Sequence, residues 1–133
     1  MGKKMSTDTN ALNWFEIAVN DMDRAKKFYE SILDVTLNPI ETPGFKMALF
    51  PTSGANGTVG GSLVQSNMHH PSSAGTVVYL NANPDLQMVL NRIEKSGAKV
   101  VMPKTRIESD DAAGYMAFFT DSEGNMVGLH SSS

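Results

Sequence analysis

Glu16 and His130 are the residues whose type and position most suggest chemistry. Glu16 interrupts an apolar run at 14–19, and His130 closes a second one at 126–129. A carboxylate and an imidazole brought together can exchange a proton, or can hold a divalent ion as two of its ligands. Several other chemistries are missing from the chain. It has no cysteine, hence no thiolate nucleophile, disulfide or cysteine zinc site. No Gly-x-Ser-x-Gly elbow occurs. The glycines at 54–61 lack the lysine and following helix of a phosphate loop. His69 and His70 adjoin in a polar linker, where neighbours on an extended chain point opposite ways, so they read as solvated linker residues or as the mouth of a site. Trp14 and Tyr79 are candidate aromatic walls for a flat ligand, and each reads equally as core. Arg24 and Arg92 fall on expected helices, where solvated or salt-bridged roles fit best.

The elements that must carry these residues follow from periodicity and turn chemistry. A strand is expected at 13–19, with an N-cap at Asn20-Asp21. A helix follows, with Met22, Ala25, Phe28, Tyr29, Ile32 and Leu33 on one stripe, ending before Asp34. Short strands are expected at 35–37, 46–50 and 60–65, separated by Pro39, Pro43-Gly44, Pro51 and the glycines of 54–57. After a linker at 66–74 the order repeats: a strand at 76–80, then a helix with Pro84 in its first turn and the stripe Leu86, Val89, Leu90, Ile93. Gly97 caps that helix, and strands follow at 99–102, 115–119 and 125–130. Gly124-Asn125 is expected to supply positive-φ positions for the last hairpin, and 110–114 is a candidate mobile loop. The pattern is βαβββ twice, at a spacing of roughly sixty residues, too long for a solenoid repeat.

Composition bounds the function classes. The chain has 133 residues, enough for one domain with a core, with 41% apolar and 19% charged residues. The net charge is −3 and no basic run exceeds two lysines, which argues against nucleic acid and anionic membranes as partners. No apolar run approaches the ~20 residues of a membrane helix. Residues 1–11 are polar and are read as a flexible segment without the apolar stretch of a signal peptide, so a cytoplasmic location is expected. Nine methionines suit an adaptable core or a malleable apolar cavity.

The run from Glu16 through Asp21, Arg24-Ala25 and Phe28-Tyr29 resembles the opening of the vicinal oxygen chelate superfamily, the glyoxalase, bleomycin-resistance and extradiol-dioxygenase group. Val78 to Asn81, Ser96 to Val100 and the turn Asp121-Ser122-Glu123-Gly124-Asn125 match its second half. The resemblance covers about 12–131, as module 1 at about 12–66 and module 2 at about 75–131. It implies an α+β fold: two βαβββ modules forming curved mixed sheets around a concave site, with the helices outside and frequent homodimers.

Metal-dependent members of that superfamily carry His, Gln or Glu at four inward positions, on the first and last strand of each module. The resemblance puts these at Trp14, near Leu63, at Thr76 or Tyr79, and at Gly128. Indole offers no lone pair and glycine no side chain, so the usual metal site is read as lost and no cofactor is expected. Glu16, Gln65 and His130 each lie two residues beyond one of those positions, a step that keeps a strand face and moves ~7 Å. They are therefore expected to share one cavity. Glu16 and His130 then form an acid–base pair or the ligands of a displaced divalent ion; the alternative is a hydrogen-bonded polar pair without chemistry. The expected function is binding of a small apolar or aromatic molecule, with Trp14, Gln65, Tyr79, Phe118, Met47 and Met116 lining the site. A lyase or isomerase using Glu16 and His130 is the second reading, and a dimerisation module with a filled core is the third.

Overall fold

The computed structural model describes residues 2–55, 57–108 and 113–133. Its elements run β1 (Trp14–Ala18), α1 (Met22–Leu33), β2 (Asn38–Thr42), β3 (Phe45–Leu49), β4 (Gly60–Gln65), β5 (Tyr79–Asn81), α2 (Leu86–Lys95), β6 (Lys99–Arg106), β7 (Tyr115–Thr120) and β8 (Met126–Ser131). They form two four-stranded sheets, ordered β1-β4-β3-β2 and β5-β8-β7-β6. In each, the first strand pairs parallel with the last and the other pairings are antiparallel. The chain is thus the expected pair of βαβββ modules.

Helix α1 starts where the N-cap chemistry places it. The Asp21 carboxylate accepts the Arg24 amide, a cap worth about 1 kcal/mol. Its buried stripe is Met22, Ala25, Tyr29 and Ile32, and that of α2 is Leu86, Val89, Leu90 and Ile93. The N-cap of α2 is Asp85, so Pro84 sits just before the helix and not in its first turn. Gly97 has φ of 88°, the left-handed conformation suited to the residue after a helix C-cap.

Three strands differ from expectation. β2 lies at Asn38–Thr42, not 35–37, and contains Pro39. It is an edge strand exposed throughout, where a residue without an N–H is tolerated. β5 shrinks to three residues. β6 runs on to Arg106 through two register irregularities. Of the loop expected at 110–114, residues 110–112 lie outside the described residues.

One apolar cluster spans both modules. Tyr29 joins them: its ring centroid lies 5.9 Å from that of Phe50 and 6.4 Å from that of Phe119. Its hydroxyl donates to Asp121 at 2.7 Å, and burial together with that carboxylate pushes the phenol pKa well up. The β7–β8 turn clasps the β1–α1 corner. Glu123 accepts from the Asn20 and Asp21 amides and from Arg24, while Asn125 donates to the Ala18 carbonyl. Only Gly124 has positive φ in this turn; Asn125 serves as a polar rivet instead. Motifs a hundred residues apart in the chain are therefore one structural unit.

Candidate functional site

Helices cover one face of each sheet, on the side of Ile17, Leu63 and Ala48 in the first and Leu80, Leu129 and Ala117 in the second. The opposite, open faces follow from the register. In module 1 Trp14 pairs with Gly60, Glu16 with Ser62, and Met47 with Val64. In module 2 Tyr79 pairs with Gly128, Asn81 with His130, Phe118 with Gly128, and Met116 with His130. Paired residues share a sheet face.

The same arrangement occurs twice: an exposed aromatic beside a glycine. Trp14 is 40% exposed and Tyr79 is 48% exposed. A Cβ on Gly60 would lie 3.2 Å from the Trp14 ring, and one on Gly128 only 2.6 Å from the Tyr79 ring. These glycines leave room for each ring to lie close over the strand. Gly61 does the same on the helix side, where a Cβ would lie 2.3 Å from the Phe15 ring. Tyr79 also packs on Phe118, with centroids 5.7 Å apart.

The register corrects two expectations. The module 1 equivalent of Gly128 is Gly60, not a position near Leu63, because Leu63 is buried on the helix side. Gln65 shares that parity. Its amide oxygen accepts the Met22 amide at 2.9 Å, so it caps α1 and does not face the cavity side with Glu16. The open-face polar residues of the same row are Glu16, Ser62, Asn81 and His130. Ser62 is fully buried, and its hydroxyl is without a hydrogen-bond partner.

Glu16 and His130 do not bond to one another. Glu16 Oε1 lies 2.8 Å from His69 Nε2. His130 Nε2 lies 2.6 Å from the Ala113 carbonyl oxygen, which holds the end of the β6–β7 connection. His69 is thus no solvated linker residue: its side chain is 20% exposed, its Nδ1 meets Ser66 Oγ at 2.7 Å, and its ring lies edge-on to Phe45. His70 is exposed. Ser62, Ser66, Asn81, Gly60 and the role of His69 escaped sequence reasoning. Pleat parity counted from the Gly60-Gly61 pair would have marked Ser62; nothing local marks the fold-back of the linker. Among the described residues, no three His, Asp or Glu side chains gather as a metal site.

The modules also share a groove. It has a volume of about 410 Å³, and its walls include Phe15, Phe50, Val59 and Gly60 from module 1 with Val78 and Tyr79 from module 2. Its size and apolar lining are those of a small-molecule site, which typically spans roughly 300–1,000 Å³.

Paired βαβββ modules with open faces and a shared apolar groove define a glyoxalase-like fold. Residues 11–129 match the model of the Glyoxalase/Bleomycin resistance protein/Dioxygenase superfamily, and the chain belongs to that superfamily. It is 27% identical over 131 residues to the proteins named "Putative glyoxylase CFP32" in Mycobacterium tuberculosis and Mycobacterium bovis. That match takes in 97% of this chain and 48% of the relative, so the chain spans about half the length of the curated relatives it matches. Among solved structures it is similar to glyoxalase I from Zea mays, with a TM-score of 0.64 at 18% identity over 90% of this chain and 43% of that one. It is also similar to TnmS3, an antibiotic binding protein from Streptomyces sp. CB03234, with a TM-score of 0.62 at 21% identity over 96% of this chain and 100% of that one. These structural likenesses establish the fold alone. Among the described residues, no helix is long and apolar enough to cross a membrane.

Proposed function

We propose that this chain is a binding protein for a small, largely apolar or aromatic molecule, seated in the groove beside Tyr79. The observation that carries the reading is the repeated aromatic–glycine pair. The resemblance puts the superfamily's metal-ligand positions at Trp14, Tyr79 and Gly128, and Gly60 pairs with Trp14 as Gly128 pairs with Tyr79, which makes Gly60 the fourth. This donor set does not fit a divalent ion: indole nitrogen donates only, glycine has no side chain, and one phenol is not a coordination sphere. Tyr79 and Gly60 line the groove, and the half-exposed Tyr79 ring presents a face or edge on which a flat ligand can stack. TnmS3, which shares the fold, is named an antibiotic binding protein, and this supports a binding role.

Trp14 is the only tryptophan, so its fluorescence reports on this region without interference. Titration with a panel of bicyclic and tricyclic aromatic compounds is expected to give saturable quenching for some members. Tyr79→Ala should weaken that binding by about tenfold, consistent with ~1.4 kcal/mol for a lost aromatic contact. Absence of saturable quenching or calorimetric heat across the panel would refute the reading. A homodimer is part of the proposal. The open faces expose Trp14, Tyr79 and Ile40, and β1 and β5 are both edge strands. A second copy is the simplest cover for such edges.

A further inference from the structure

The linker between the modules carries a hydrogen-bonded chain that the groove does not use. Ser66 Oγ lies 2.7 Å from His69 Nδ1, and His69 Nε2 lies 2.8 Å from Glu16 Oε1. We infer that Ser66 is an activated nucleophile, with His69 as its base and Glu16 orienting that base, and that it takes acyl groups from small esters and passes them to water.

The polarity of the chain supports this. An ionised Glu16 can only accept, so Nε2 carries the proton and donates to it. The Nδ1 lone pair is then turned to Ser66, and the serine hydroxyl donates to it. A nucleophile within hydrogen-bond reach of a base, itself oriented by a third group, is the recurring signature of covalent catalysis. The two ring nitrogens exchange the roles they have in serine proteases, but the proton balance is the same. His69 is held on a further side by Phe45, with ring centroids 6.2 Å apart. The Met68 amide donates to Ser66 Oγ at 3.1 Å, which favours negative charge on that oxygen.

Space and donors for a substrate lie alongside. Ser66 lines a cavity of about 390 Å³ together with Asn20, Thr42, Lys46, Gln65 and Asn67. The Lys46 ammonium and the side-chain amides of Asn20 and Asn67 make no hydrogen bond with the rest of the described chain, which leaves them to meet a substrate carbonyl. In the step proposed, Ser66 Oγ bonds to the ester carbonyl carbon and its proton moves to His69 Nδ1. The bond from carbon to the alcohol oxygen breaks, and the departing oxygen takes that proton. Water then attacks the acyl-serine, gives its proton to Nδ1, and releases the carboxylic acid as the proton returns to Ser66.

The test uses the full chain with two probes, an alkyl fluorophosphonate and p-nitrophenyl acetate. The expected result is one phosphonyl group per chain, located on Ser66 by peptide mapping. Release of p-nitrophenolate should fall by about a hundredfold or more in Ser66→Ala and by about tenfold in Glu16→Gln, with the thermal midpoint checked for each. His69→Gln, which keeps a hydrogen-bonding side chain but cannot serve as a base, should fall like Ser66→Ala. An unlabelled wild-type protein, an adduct on another residue, or a Ser66→Ala rate equal to wild type would overturn the proposal.

Discussion

Replacing Glu123 with glutamine should loosen the clasp between the modules. The Glu123 side chain is fully shielded, while that of its partner Arg24 is 54% exposed. Burial by itself would push the Glu123 carboxyl up. The hydrogen bonds from Arg24, the Asp21 amide, Ser122 and the Asn20 amide outweigh it and bring the pKa from 4.5 to about 2. A shift of that size corresponds to at most ~3 kcal/mol of folding free energy. Solvent around the guanidinium screens the ion pair, which leaves roughly 1–2 kcal/mol. Glu123→Gln keeps one acceptor oxygen for the backbone amides but loses the charge and the second acceptor. Its thermal midpoint at neutral pH should fall by roughly 3–8 °C.

The pH dependence makes the test specific. The folded-state pKa is depressed, so this stability is fully present above the unfolded value of 4.5 and disappears as pH falls toward about 2. Urea unfolding of wild type and Glu123→Gln should therefore differ most near neutrality. At about pH 3 less than half of the difference should remain. A difference of equal size at both pH values, or none near neutrality, would refute the reasoning.

Other outcomes follow from the same geometry. Gln65→Ala should lower stability by about 1 kcal/mol in urea unfolding, because the Met22 amide loses its acceptor, while aromatic-ligand affinity stays within about twofold. Gly128→Ala puts a methyl 2.6 Å from the Tyr79 ring, which must swing away. Ligand affinity by Trp14 quenching should then fall by about tenfold, with a smaller loss of stability because Tyr79 is half exposed. Light scattering at micromolar concentration should give a dimer mass; a monomer mass would remove the second copy from the proposed function.

The two-module architecture was legible in the sequence because its signals are local. The stripes Met22–Ala25–Tyr29–Ile32 and Leu86–Val89–Leu90–Ile93 are set by helical period, and the cap at Asp21 and the turn at Gly124 by side-chain chemistry and φ. The superfamily motifs were legible as a string of residues, but not as what they are physically. Only the fold brings Glu123, Asp121 and Asn125 onto the β1–α1 corner, because those contacts span about a hundred residues of chain. The site divides in the same way. Residue type marked Trp14 and Tyr79, the resemblance marked Gly128, and the structure sets each ring against a glycine. Strand register decided the rest. A side chain changes faces with every residue, so placing the fourth position at Leu63 instead of Gly60 sent Gln65 toward the cavity and left Ser62 unseen. The Ser66–His69–Glu16 chain was decided by tertiary structure alone: it depends on a polar linker folding back over β1, and no periodicity in the sequence encodes that path.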